Sequence, residues 1–119
     1  MPEGPHIVNV TRSAEPYAYV GRKHGDFEAS AYGNPFCTGM MVSAAIYLLR
    51  KVGVEKTLAD FGGMRTLDLD TSIKCFEWWF VAQPELVAKA RRELRGQNLG
   101  CWCFPKKCHA SVILRIVNS

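Results

Sequence analysis

The sequence predicts an α/β protein: a small single-domain, three-layer sandwich of Rossmann-like layering on a mostly parallel sheet. Three observations carry this. Short apolar segments bounded by turn residues occur at 7–10, 17–20 and 99–103, and amphipathic segments with helix signals fill the long interval between the second and third. A further amphipathic segment follows the third, so the order is strand, helix, strand, helix. Parallel neighbours need crossovers of that length. At 119 residues the chain can bury one core but not a core plus a separate substrate domain.

Residues 7–10, Ile-Val-Asn-Val, lie between Pro5 and the Thr11-Arg12-Ser13 run and read as the first strand; 17–20, Tyr-Ala-Tyr-Val, ends at Gly21 and reads as the second. From Arg22 to Phe36 the sequence turns to Gly, Asp, Asn, Pro and Ser without a period, which predicts a long surface loop. Thr38 is positioned to cap a helix over 40–51, with Val42, Ala45, Ile46 and Leu49 on one face and Gly53 past its end. Within 55–69 only one helical turn is indicated, over 57–61, broken by Gly62-Gly63. Asp70 or Thr71 caps the next helix, through Phe76, Trp79 and Phe80, which ends before Pro84. Trp78, Trp79 and Phe80 are consecutive, so at least one is partly exposed. Pro84 suits the first turn of a helix over 85–94 closed by Gly96. Residues 99–103 read as a strand, 104–107 as a tight connection and 108–117 as a closing helix with Val112, Ile113 and Ile116 toward the core.

Fifteen basic residues against 11 acidic give a net charge of +4, which favours anionic partners. No segment has the length and flanks of a signal peptide or membrane span, so no membrane partner is expected and a cytoplasmic location is. Five cysteines, with Cys37 and Cys75 isolated, fit reduced thiols or metal ligands better than a disulfide scaffold.

The chemistry is concentrated in 98–111, Asn-Leu-Gly-Cys-Trp-Cys-Phe-Pro-Lys-Lys-Cys-His-Ala-Ser. Thiolate and imidazole bind zinc and act as nucleophile and base. Two arrangements suit these residues. In the first, the turn from Cys103 to Cys108 is the carboxyl edge of an open sheet, where ligands bind. The opening amides of the helix from Cys108, with Lys106 and Lys107, then welcome a phosphate and lower the pKa of Cys108. Arg22 and Asn34 complete that pocket, although Asn34 also reads as a turn former and Arg22 as a partner of Asp26. In the second, Cys101, Cys103, Cys108 and His109 hold a structural zinc, with a spacing that departs from the usual Cys-x-x-Cys pairs; alternatively Cys101 and Cys103 are small buried hydrophobes with Trp102 on the other face.

Cys103 and His109 are separated as in the phosphatase Cys-x5-Arg loop, but the arginine and the cradle glycines are missing, which argues against that chemistry. The opening Met1-Pro2-Glu3-Gly4-Pro5 resembles the start of endonuclease VIII-type glycosylases, yet the chain cannot hold their remaining parts. Lys89, Arg91, Arg92 and Arg95 offer a basic helix face to nucleic acid, though no aromatics interleave and Glu85 is placed to pair with Lys89. His6 and His24 read as solvated.

Tyr19-Val20-Gly21-Arg22, Tyr32-Gly33-Asn34-Pro35-Phe36, Leu94-Arg95-Gly96 and the Leu99-Gly100-Cys101-Trp102-Cys103, Pro105, Cys108-His109 ending together resemble the family known as domain of unknown function 4326, small phage and bacterial proteins. Against that pattern, residues from about 37 to 69 are an insertion and the loop 23–32 is lengthened. A more distant likeness, to domain of unknown function 488, supports a strand, short loop and Cys-His opening a helix, with Ala110 where that family has arginine. The resemblance brings no activity. The expected function is binding, or binding with turnover, of a nucleotide or other phosphorylated small molecule by Arg22, Asn34, Cys103, Lys106 and Lys107, with Cys108 as nucleophile and His109 as acid/base if catalytic, and without a cofactor. The alternatives are a structural zinc or interaction module and nucleic-acid binding through the basic helix.

Overall fold

The central strand of the sheet is the last of the three in sequence. A computed structural model of the chain describes residues 4–22, 24, 25 and 27–119, so the glycosylase-like start at 1–3 and the Asp26 partner suggested for Arg22 lie outside the described residues. Strands β1 (Ile7–Asn9) and β2 (Ala18–Tyr19) flank β3 (Leu99–Cys101), and both run parallel to it. Ile7 and Ala18 both align with Leu99, and Val8 and Tyr19 with Gly100. The fold is α/β with a parallel sheet.

The link from β1 to β2, residues 10–17, contains no helix. Such a link can extend about 26 Å. That is enough to return along a three-residue strand and step across two inter-strand spacings of about 4.8 Å each.

The chain divides into two compact units. One comprises the residues up to Asn34 with Glu85–Ser119, and the other is Pro35–Pro84. In the first, helix α4 (Ala110–Val117) lies against β1 and β3, burying Val112, Ile113, Ile116 and Val117. Helix α3 (Pro84–Leu94) starts on its proline and buries Ala90 and Leu94, one turn apart. The ends of α3 and α4 are tied side by side: Arg95 Nε donates to the Val117 carbonyl at 2.7 Å, and the Gly96 amide to Asn118 Oδ1 at 3.0 Å. Gly96 itself has φ +79°, the left-handed conformation that stops a helix without a Cβ penalty.

In the second unit, α1 (Val42–Lys51) packs on a 3-10 turn (Leu58–Phe61) and on α2 (Leu69–Val81). Helix α1 begins later than the Thr38 cap predicts. Residues 39–42 are taken up by backbone pairing to 65–67, through Gly39 N to Leu67 O, Leu67 N to Met40 O and Val42 N to Arg65 O at 2.8, 2.8 and 2.9 Å, so Met41 stands at the cap without a side-chain bond. The α2 cap is Asp68, which accepts from the Thr71 amide at 2.8 Å, in place of Asp70 or Thr71. Phe80 is fully buried and stacked on Phe76, while Trp78 and Trp79 are half-buried. Lys56 and Lys74 lie over the Trp78 ring. Among the described residues no helix is long and apolar enough to cross a membrane.

Candidate functional site

Every strand of a parallel sheet points its carboxyl end the same way, so the residues leaving β1, β2 and β3 meet at one edge. Asn9 ends β1 there. Its side-chain amide donates to the carbonyls of Trp102 and Phe104 at 3.2 and 2.7 Å, while its Oδ1 accepts from the Thr11 amide at 2.9 Å. Those bonds take the chain out of strand geometry after Cys101. Strand β3 therefore stops two residues short of the expected Cys103, and Cys101 and Cys103 do not share a face: Cys101 is buried and Cys103 exposed. The turn continues through a cis Phe104–Pro105 bond and is closed by the Lys106 amide on the Cys103 carbonyl at 2.8 Å.

Strand β2 leaves through Val20, Gly21 and Arg22. Arg22 is exposed, and its Nε donates to the Asn34 backbone carbonyl at 2.7 Å, which fixes the plane of the guanidinium. The contact between the two residues is with the main chain of Asn34, a buried residue. The Tyr19 hydroxyl donates to the Arg22 carbonyl and accepts from Trp102 Nε1 at 3.0 Å. Around Trp102 an aromatic cluster forms. His24 stacks on it with centroids 4.1 Å apart, Phe27 meets it edge-on at 5.5 Å, and Phe27 also packs on Tyr19 at 4.6 Å. The exposed His24, expected only to be solvated, is part of this surface.

His109 and Cys108 stand at the start of α4, which begins at Ala110, two residues later than expected. His109 is 7% exposed, and its Nε2 lies 2.8 Å from the Val20 carbonyl. A carbonyl only accepts, so Nε2 carries the proton and Nδ1 presents its lone pair to Cys108 Sγ at 3.4 Å. Burial holds the imidazole below its ordinary pKa of 6.5 against the pull of the main chain at Val20 and Tyr32, and Arg22 adds to the lowering.

The Cys108 thiol is hydrogen-bonded to that of Cys101. This bond, with the amides of Phe104 and Cys103, holds the Cys101 thiol below the usual range despite its burial. The same bond and burial push Cys108 up, against the Ala110 amide. The expectation of an acidified Cys108 at a helix N-terminus is therefore corrected. Cys108, His109 and Ala110 are all buried, and the Ala110 amide serves the Cys108 sulfur instead of an outside anion. The thiol favoured as thiolate is Cys101.

Lys106 and Lys107 are exposed on the turn, as are Lys89, Arg91 and Arg92 on α3, where Arg95 is committed to the Val117 carbonyl. Of the four residues weighed for zinc, Cys101, Cys108 and His109 are close and buried whereas Cys103 is exposed; among the described residues no three His, Cys, Asp or Glu side chains are placed to hold a metal ion. Sequence reasoning misses Asn9, the aromatic cluster and the Cys101 to Cys108 contact. The signals present are an asparagine closing an apolar strand and Gly25 between His24 and Phe27, which pair across a tight turn with Gly25 at φ +56°.

Known proteins similar to the chain include a family and a curated relative. The sequence profile of the family described as "Domain of unknown function (DUF4326)" matches residues 7–119. An "Uncharacterized 12.4 kDa protein in nrdA-td intergenic region" of Enterobacteria phage T4 is 54% identical over 33 residues, 27% of this chain and 31% of the phage protein. The match thus spans about a third of that relative's length. No solved structure matches.

Proposed function

The chain belongs to the DUF4326 family, from which no activity follows, and on the geometry of the sheet edge we propose that it binds an anionic, nucleotide-like small molecule there. The observation that carries this reading is the guanidinium of Arg22, exposed yet fixed at Nε by the Asn34 carbonyl, on a residue whose backbone carbonyl is linked through the Tyr19 hydroxyl to Trp102, on which the His24 ring stacks. An oriented guanidinium suits phosphate, and an aromatic face suits a base. Lys106 and Lys107 add positive charge on the neighbouring turn. The buried thiols and imidazole do not face a ligand in this reading, so it is one of binding. The zinc and nucleic-acid readings rest on no comparable observation, since among the described residues no three His, Cys, Asp or Glu side chains are placed to hold a metal ion and Arg95 is committed within the fold.

The test is a titration with adenosine monophosphate, adenosine and inorganic phosphate, read by tryptophan fluorescence and calorimetry. The nucleotide should bind more tightly than either fragment. Arg22→Gln should weaken it by about tenfold to a hundredfold, the value of a charge-assisted hydrogen bond. Nucleotide affinity unchanged by Arg22→Gln, or no binding of any of the three, overturns the proposal.

A further inference from the structure

The contact between Cys101 and Cys108 has no role in anion binding. It joins the last residue of β3 to the residue two before α4, both buried, at 1% and 5% exposure. The two thiols act on each other as hydrogen-bond partners, and Cys108 Sγ also lies 3.4 Å from His109 Nδ1. Because the Val20 carbonyl holds the His109 proton on Nε2, Nδ1 carries no hydrogen and is oriented to receive the Cys108 proton. The amides of Cys103 and Phe104 converge on the Cys101 sulfur and favour negative charge there. Residues 103–107, the turn that joins the two cysteines, are exposed throughout, which puts solvent beside the segment that holds them. Cys75 offers a contrast: burial pushes its thiol up to about 11.

We propose that Cys101 and Cys108 form a redox-active dithiol that hydrogen peroxide converts to an intramolecular disulfide. The Cys101 thiolate attacks a peroxide oxygen, the O–O bond breaks, and a Cys101 sulfenic acid forms as hydroxide leaves and takes up a proton to become water. Cys108 passes its proton to His109 Nδ1 and its sulfur attacks the sulfenic sulfur. The S–S bond forms, the S–O bond breaks, and the departing hydroxide takes the proton from His109. Two thiols and one peroxide become one disulfide and two waters. A dithiol reductant reverses the change by exchange, with its own two thiols oxidised. The chemistry is independent of whether the sheet edge binds an anion.

The experiment treats the purified full chain with stoichiometric hydrogen peroxide and follows intact mass and peptide mapping. The expected product is lighter by two hydrogens, carries a peptide cross-link between Cys101 and Cys108, and regains both thiols in dithiothreitol. Cys103→Ser, a change at an exposed site, should give the same cross-link. His109→Gln should reach the same product about tenfold or more slowly, the lower range of general-base assistance. A link through Cys103, oxidation to sulfinic acid without a link, or unchanged mass overturns the proposal. A rate unaltered in a folded His109→Gln chain overturns the part given to the imidazole. Mapping of the unaltered chain decides the main point, whatever happens to the stability of the variants.

Discussion

Replacing His109 by glutamine should change how stability depends on pH, in a window set by a single proton. The imidazole is buried and neutral in the folded chain, with its pKa held below 6.5. In the unfolded chain it titrates at its ordinary value. Above pH 6.5 neither state takes up the proton and the residue gives no pH dependence. Below it the unfolded chain is protonated first, so stability falls as pH falls, with a slope that approaches about 1.4 kcal/mol per unit. The slope ends when the pH reaches the depressed value of the folded chain, where both states are protonated. The glutamine side chain can still donate to the Val20 carbonyl but does not titrate. Urea unfolding at half-unit steps from pH 7.5 to 5 should therefore show the parent losing up to about 1 kcal/mol of stability relative to the variant between pH 6.5 and 5.5, because the unfolded imidazole is only half protonated at the upper end of that interval. The carboxyls of Asp60 and Asp68, held below 3.8, lose their contribution only at lower pH and do not enter the window. Parallel curves for the two chains across this range would show that His109 is not held neutral, and the tautomer assigned at Cys108 would go with it.

Three further substitutions test the packing. Phe80→Ala removes a fully buried ring stacked on Phe76 at 5.5 Å and should cost about 3–5 kcal/mol in urea unfolding; a loss under about 1 kcal/mol is incompatible with that burial. Tyr32→Phe deletes the bond from the hydroxyl to Glu93 Oε1 at 2.6 Å and should cost about 1.5 kcal/mol, near the lower end for a charged acceptor because exposed Glu93 regains water; denaturation curves that superimpose would show the bond contributes nothing. Gly100→Ala places a methyl against the Tyr17 ring, which covers that point of β3, and should cost about 1–3 kcal/mol; an unchanged melting temperature would remove Tyr17 from its place.

The parts of the fold legible in the sequence are those whose signals are local. Pro84 and Gly96 bound α3 almost to the residue, and β1 and β2 lie within the apolar alternation that predicts them. The misplaced boundaries have non-local causes. Thr38 has the chemistry of a cap, but backbone pairing of 39–42 with 65–67 decides where α1 starts. Nothing near Cys101 announces the end of β3, because the bonds that turn the chain come from Asn9, more than ninety positions away. The same holds for the site. The bond from Arg22 to Asn34 spans one loop that the sequence marks out, whereas the aromatic cluster and the thiol contact depend on where that turn folds back. The helix dipole argument for Cys108 fails because it treats a helix start as open to water, and this one is buried.

The strand order has a consequence for assembly. With β3 between β1 and β2, the two early strands share no ladder with each other, and each waits for residues 99–101 before it has a neighbour. During synthesis, pairing that precedes the emergence of this segment is non-native, and the unsatisfied edges of 7–9 and 18–19 invite chaperones or other chains. The sheet edge that carries Arg22 and Trp102 thus comes into being in one late step, so conditions that slow this closure would delay ligand capacity and sheet formation together.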